Sequence, residues 1–198
     1  MGDGYLKILV TGSRGGIASA FVKTAASVGH EIIALERGDF ERLEEVSSAW
    51  QNLDGVVFTN GVCPIKPITK LRDEEFAETM RINVTLFLRV MREIVAKKAY
   101  SSNGMKAVAI SSVSAREGWA GGAAYCASKG ALSALARALD EELKTRKIRV
   151  VALEPRYVNT PMFQNGAKKM GVKEDAAMGA ENFALEIMKE LGSGNSQF

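Results

Sequence analysis

Two side chains that can pass a proton, Tyr125 and Lys129, stand four positions apart in Tyr125-Cys126-Ala127-Ser128-Lys129. On a helix, residues i and i+4 share one face. A phenol ordinarily ionises near pH ~10, and an ammonium fixed beside it favours the phenolate and draws that value toward neutrality. A tyrosine tuned in this way gives a proton to a ketone or takes one from an alcohol. Alone, the pair reads more readily as two neighbours on a solvated helix face. Two further polar residues extend it. Ser112 closes the β-prone run Val108-Ala109-Ile110-Ser111-Ser112, thirteen residues before Tyr125. Ser111 and Ser114 carry the same hydroxyl, so spacing alone singles out Ser112. Asn83 interrupts the apolar helical stretch Arg81-Ile82-Asn83-Val84, as a working amide or as a satisfied core amide at a kink.

These groups need a scaffold. An apolar run from Leu6 meets Thr11-Gly12-Ser13-Arg14-Gly15-Gly16, and Ile17, Phe21, Val22 and Ala25 follow at helical spacing. That is strand, tight turn and helix N-terminus. Glycines let backbone approach a phosphate, and the free N–H groups and helix dipole hold its charge. Strand-like runs lie at 6–11, 31–35, 55–60, 106–111 and 149–153, and helix-like ones at 16–28, 40–50, 73–98, 125–145 and 180–191. Alternation of the two predicts right-handed crossovers and a parallel sheet. The strands are unbroken apolar runs, as expected when helices cover both faces. The fold class is therefore α/β, a doubly wound parallel sheet of Rossmann type with helices on both faces, in a single domain over 1–198. Ligands of such sheets sit at the carboxyl ends of the strands, where the glycine turn, Asn60-Gly61, Ser112 and Pro155 all fall.

The chain's 198 residues are 46% hydrophobic, enough for one domain core. The net charge of +3 is the balance of 26 basic and 23 acidic residues scattered along the chain, so no nucleic-acid footprint is expected. Lys168, Lys169 and Lys173, the densest basic group, read as a solvated loop. Cys63 and Cys126 are far apart and suggest no disulfide framework, which makes a reducing cytoplasm the default location. His30 is the sole histidine; it argues against a histidine-based metal site and is expected to cap the end of the first helix. No secretory start is evident. Met1-Gly2 opens like an acylation site, but Leu6 stands where Ser or Thr is required. No apolar stretch reaches the roughly 20 residues of a membrane span.

Thr11-Gly12 with Gly16, Asn60-Gly61, Asn83, Ser112 and Tyr125-x-x-x-Lys129, in this order and spacing, resemble the short-chain dehydrogenase/reductase family over about residues 5–160. The resemblance implies an NAD(P)-dependent oxidoreductase that moves a hydride between a nicotinamide cofactor and a carbonyl or secondary alcohol. It implies Tyr125 as general acid/base. It makes Lys129 the ligand of the nicotinamide ribose and, with the oxidised ring, the cause of a lowered Tyr125 pKa. Ser112 would bond the substrate oxygen, and Asn83 would hold a water in a relay to Lys129. Gly12, Ser13, Arg14, Gly16 and Ile17 would form the cofactor turn, and Glu36, Arg37 and Asp39 the adenosine end. Asn60 and Gly61 would flank the cofactor, and Pro155, Val158 and Thr160 would meet the carboxamide. Partners would be a small carbonyl or alcohol and a homodimer or homotetramer built on the helices at 73–98 and 125–145.

The chain departs from the family pattern in several places. Ala18 replaces a third glycine, which should widen helix packing slightly. Asn60 replaces the usual Ala in Phe58-Thr59-Asn60-Gly61, and its side chain has no assigned role. Arg156 replaces a Gly in Pro155-Arg156-Tyr157-Val158-Asn159-Thr160; it would be strained at positive φ, and its side chain is expected to be solvated, the alternative being service to an acidic substrate or a cofactor phosphate. The connection 36–54 is too short for the family's strand and two helices, and Gly38-Asp39-Phe40 is expected to form an abbreviated strand. The family's last strand has no counterpart after the helix at 181–191 and the turn of Ser193 and Ser196-Gln197-Phe198, so either a truncated product or an uncovered sheet edge is expected. Glu36 favours NAD by the ribose rule, Arg37 and Arg14 favour NADP, and the balance falls to NAD. Residues 161–179, with Met162, Phe163, Met170 and Met178, are expected to form a short substrate lid, with Trp119 and Tyr157 beside it. The rival reading is a cofactor-binding sensor or scaffold that has lost turnover.

Overall fold

The computed structural model describes residues 4–192; Met1-Gly2 and the turn expected at 193–198 lie outside the described residues. Strands β1 (Lys7–Thr11), β2 (Glu31–Leu35), β3 (Gly55–Phe58), β4 (Met105–Ile110) and β5 (Ile148–Leu153) form one parallel sheet in the order β2-β1-β3-β4-β5. The chain steps from β1 to β2 on one side and then crosses to β3 on the other. The crevice between the β1 and β3 ends is thus the topological switch point where such sheets bind ligands.

The strands look continuously apolar because each serves two cores. Leu9, Val56, Phe58, Ala107, Ala109 and Val150 join a cluster with Phe87, Val90, Met91, Ile94, Leu132 and Ala136. The alternate residues Ile8, Val10, Val57, Val108 and Ile110 join a second cluster with Phe21, Ala25, Phe183, Ala184, Ile187 and Leu191. Period-two alternation sends neighbours to opposite faces. One face is covered by α4 (Leu86–Ala96) and α5 (Ala123–Leu143), the other by α1 (Gly16–Ser27) packed on α7 (Ala180–Gly192). Ala18 is fully buried in this second core.

Two expectations need correction and one is refined. The segment after β2 is not an abbreviated strand: Arg37–Arg42 is a 3-10 turn, leading into a single helical turn, α2 (Leu43–Val46). The Asp39 carboxylate accepts from the Glu36 N–H at 2.7 Å and buried Phe40 anchors the turn in the core, so the chain curls inward instead of extending. His30 caps α1 only through its backbone, its N–H closing the helix on Ala25 O, while its side chain ties down β1, accepting the Leu6 N–H at Nδ1 (3.3 Å). The helix expected over 73–98 is interrupted. Between α3 (Asp73–Met80) and α4, residues Arg81–Thr85 widen into a π-turn, and Asn83 within it is fully buried. Such bulges mark a place where a side chain is re-aimed.

Part of the expected lid is helical. In α6 (Pro161–Met170) the Thr160 hydroxyl accepts the Phe163 N–H, Pro161 sits in the first turn, Lys168 and Lys169 lie in the last, and Gly171 stops the helix at φ 67°. These are standard start and stop signals. Among the described strands β2 and β5 are the sheet edges.

Candidate active site

The glycine turn leaves an open backbone cradle at the end of β1. Gly12 stands at φ +64°, a conformation a side chain would strain, and the turn closes with Gly15 N–H on Gly12 O at 2.9 Å. Gly15 precedes α1 and no side chain caps that helix. The first-turn amides of Gly16, Ile17 and Ala18 therefore have no intrahelical acceptor. No acidic residue lies in that turn. Thr59 holds β3 to β1 through its N–H on Thr11 Oγ1 (3.2 Å) and its hydroxyl on Thr11 O (2.6 Å). Asn60 lies over Gly12, its Nδ2 3.3 Å from where a Gly12 Cβ would be, and its buried Oδ1 has no hydrogen-bond partner. At the far side of the cradle the Ser13 hydroxyl donates to Glu36, and Arg14 Nε is 4.0 Å from the same carboxylate. Arg37 is exposed on the turn beyond. A cradle floored by backbone, with unmatched amide donors, suits the pyrophosphate of a dinucleotide.

A second cluster stands at the ends of β3 and β4. Lys129, on α5, is 4% exposed; its Nζ donates to Ile110 O at 2.7 Å and lies 5.6 Å from the centroid of the half-buried Tyr125 ring. Ser112 accepts the Ser114 N–H at 3.1 Å, and its hydroxyl favours the ionised form of the Tyr125 phenol. The neighbouring hydroxyls are engaged elsewhere. Ser111 bonds Lys129 O (3.1 Å) and Ser133 (2.8 Å), and Ser114 accepts the Trp119 indole N–H (3.1 Å). Asn83 holds the loop after β3, with Nδ2 on Val62 O (3.0 Å) and Ser128 Oγ (2.8 Å) and Oδ1 on Val62 N–H (2.8 Å). A Cβ on Gly61 would be 3.7 Å from both Asn83 Oδ1 and Lys129 Nζ.

Tyr125, Lys129, Ser112, Asn83 and Gly61 thus come together, while Ser13, Arg14, Glu36 and Asp39 gather at the opposite end. The third wall follows β5. Val113 N–H donates to Pro155 O at 3.1 Å, the Val158 side chain is buried in the α1–α7 core, and Thr160 caps α6. Arg156 is not at positive φ, so no strain attends it; it pairs with Glu117 at 2.7 Å on the surface. Trp119 faces Tyr125 at 6.4 Å between centroids, whereas Tyr157 packs on Phe163 at 5.3 Å.

The electrostatics correct one expectation. Burial pushes the Tyr125 phenol above its ordinary value; the neighbouring Cys63 adds to the rise and the Ser112 hydroxyl opposes it. Burial also lowers Lys129 to about 8, Cys63 working the other way. The Cys63 thiol is raised to about 11, chiefly by burial, against the pull of Lys129. The protein alone therefore does not draw the phenol toward neutrality, because desolvation is the largest influence on it.

Cys63, Thr59, Ser128 and Ile65 were not evident as site residues from sequence. Thr59 and Ser128 lie inside quoted motifs, so their signal was present. Ile65 touches two glycines: its Cγ2 is 3.3 Å from a Cβ on Gly121, and its Cδ1 is 3.3 Å from one on Gly166 of α6. Nothing in the local pattern around Cys63 or Ile65 announces a long-range contact.

Residues 40–171 match the family described as short chain dehydrogenase. The chain belongs to the short chain dehydrogenase family. Its relatives in that family include L-xylulose reductase of Bos taurus, 26% identical over 181 residues that cover 80% of this chain and 74% of that protein. The 3-oxoacyl-acyl-carrier-protein reductase FabG of Rickettsia typhi is 26% identical over 177 residues, 78% of this chain and 73% of that one. Among solved structures, ElxO with NADP bound superposes with a TM-score of 0.83 at 16% identity, covering 98% of this chain and 94% of that one. Family members of this kind are NAD(P)-dependent oxidoreductases, and a nicotinamide cofactor belongs with the fold. Among the described residues no group of His, Cys, Asp and Glu is placed to hold a metal, and no helix is long and apolar enough to cross a membrane.

Proposed function

We propose that the protein reduces a small carbonyl compound to an alcohol, or runs the reverse reaction, with Tyr125 as the proton-transferring group. The observation that carries this reading is the gathering of Ser112, Tyr125, the buried Lys129 and the tethered Asn83 on the same sheet edge as the uncapped glycine turn. A bound nicotinamide cofactor supplies the hydride; the rest is the work of this chain. The turn at Gly12, Ser13, Arg14, Gly16 and Ile17 holds the pyrophosphate through backbone amides. Pro155, Val158 and Thr160 wall the carboxamide end, with Val158 acting through its backbone.

Ser112 Oγ orients the substrate oxygen and stabilises charge that develops on it. The raised phenol keeps its proton at neutral pH, which suits donation by Tyr125 Oη to that oxygen. Lys129, lowered to about 8, is poised to give up a proton near neutrality and so to restore Tyr125. Asn83 positions Lys129 by fixing the 61–63 loop and Ser128. We assign NAD over NADP, because Glu36, held by Ser13, accepts ribose hydroxyls and repels a 2′-phosphate; Asp39 fixes the Glu36 backbone and acts only through it. Arg14 and Arg37 are the counterweight, and ElxO binds NADP. Residues 161–179 form the lid. The helices α3, α4 and α5 form the surface of a homodimer or homotetramer, consistent with the exposed apolar Phe76 and Leu88.

Calorimetric titration with NADH and NADPH in parallel, followed by a panel of carbonyl compounds, tests the reading. Tighter binding of NADH and turnover of at least one carbonyl are expected. Tighter NADPH binding overturns the assignment to Glu36. Binding without any turnover favours the sensor reading.

A further inference from the structure

Trp119 is fixed in the segment after β4 in a way that leaves it only carbon to offer a ligand. Its indole N–H, the one polar group it carries, is spent on Ser114 Oγ at 3.1 Å. Its ring lies against the bare Cα of Gly122, where a Cβ would be 2.6 Å from Trp119 Cδ2 and 2.7 Å from Cζ2. Held by both contacts, the half-buried indole is a plate beside the phenol, 6.4 Å from the Tyr125 ring between centroids and tilted at 56°. The charges on the same segment are matched. Arg116 pairs with Glu154 at 2.6 Å, and Glu117 pairs with Arg156 at 2.7 Å. The wall next to Tyr125 is therefore apolar, and its charged flank is neutralised by the protein itself.

Ser112 and Tyr125 take the substrate oxygen, so a group attached to the carbonyl carbon lies next to them, and the indole is the neighbouring surface. A flat carbon face gains by stacking on such a ring. A hydroxyl pressed against it gives up water without finding a partner. An acidic head group would have to break an existing ion pair to be matched. We propose that Trp119 is a specificity-determining side chain that selects uncharged carbonyl compounds carrying a flat apolar group, such as an aryl ring, beside the carbonyl. This rests on the reading of Tyr125 as the group that protonates a substrate oxygen, and it narrows that reading to one substrate class. It also gives Gly122 a purpose: any side chain there would push the plate out of place.

The test measures kcat/KM for acetophenone, 2-butanone, L-xylulose and acetoacetyl-coenzyme A with saturating dinucleotide, in the parent and in Trp119→Ala, Trp119→Phe and Gly122→Ala. The parent should favour acetophenone. Its preference for acetophenone over 2-butanone should fall about tenfold in Trp119→Ala and stay within about threefold in Trp119→Phe, which keeps an aromatic face. Gly122→Ala, which retains the indole but displaces it, should lose the preference as Trp119→Ala does. Dinucleotide affinity, titrated alongside, shows that each variant is folded. An unchanged preference in Trp119→Ala overturns the proposal, as does a parent that turns over L-xylulose or acetoacetyl-coenzyme A with the highest kcat/KM. If the parent binds dinucleotide but reduces no carbonyl compound at all, the oxidoreductase reading itself fails and this inference falls with it.

Discussion

The two ends of the cleft are built from different materials. At the β1–β2 end the working groups are peptide amides, exposed by Gly12 and Gly16 and left uncapped at the start of α1. At the β4–α5 end they are side chains, and most are held by the protein: Ser112 by the Ser114 N–H, Lys129 by Ile110 O, Asn83 by Val62 and Ser128, Ser111 by Ser133. The first end depends on what is missing from the side chains, the second on what each carries. A substitution at the first end should therefore act through shape and leave the chemistry intact. At the second end it should remove chemistry and can even relieve the fold of a buried charge.

The largest effect expected is at the second end. Tyr125→Phe should lower kcat about 10²–10⁴-fold while dinucleotide affinity changes little; single-turnover kinetics beside calorimetry would separate the two. Full turnover in that variant would remove the acid/base assignment.

Lys129→Met comes next. It should lower kcat on the order of 10²-fold, and it also changes how stability depends on pH. The folded pKa of Lys129, about 8, lies below its unfolded value near 10.5, so the unfolded chain binds more protons between those values and stability rises with pH through that window. Cys63 acts in the opposite sense from about pH 9, since its folded value of about 11 exceeds the unfolded one, and Tyr125 does so from about pH 10. Between pH 7.5 and 9 the parent should thus gain about 1 kcal/mol relative to Lys129→Met, visible as a difference of about 2–4 °C in Tm. Parallel Tm profiles for the two proteins would show that the ammonium is not buried in solution.

The smallest effect is expected at the first end. In Gly16→Ala the new Cβ would lie 2.8 Å from Thr160 Cβ and Cγ2, so the start of α6 has to move. A loss of about 1–3 kcal/mol in stability and a weaker dinucleotide affinity are expected, with kcat at saturation within a few-fold of the parent. A collapse of kcat at saturating cofactor would mean that the two ends are not separable.

This division also explains what the sequence discloses. The alternation of apolar runs gave all five strands to within two residues at either end, because a buried parallel strand has to be apolar on both faces. The helix bearing Tyr125 and Lys129 was equally legible, since their spacing needs only local geometry. The turn at Arg37–Arg42 was not, because the Asp39 cap and the burial of Phe40 outweigh a short extended run. Helix α6 carried its signals in Thr160, Pro161 and Gly171, yet its methionines read as a loop. The choice of Ser112 over Ser111 and Ser114 rested on spacing, whereas in the structure each of the three hydroxyls has its own partners. The placement of Cys63 and Ile65 depends on contacts between distant segments, which no local pattern encodes.

Ile65 sits in the loop that Asn83 tethers, and it fills the space left by two absent side chains, one at Gly121 before α5 and one at Gly166 in α6. Three segments remote in the chain therefore share a single small volume. A bulkier residue at any of these positions has to be matched by a smaller one at another, so across the family the three should be inherited as a set. Exchanging α6 alone for that of a relative with a different substrate would then bring in a helix cut for another peg.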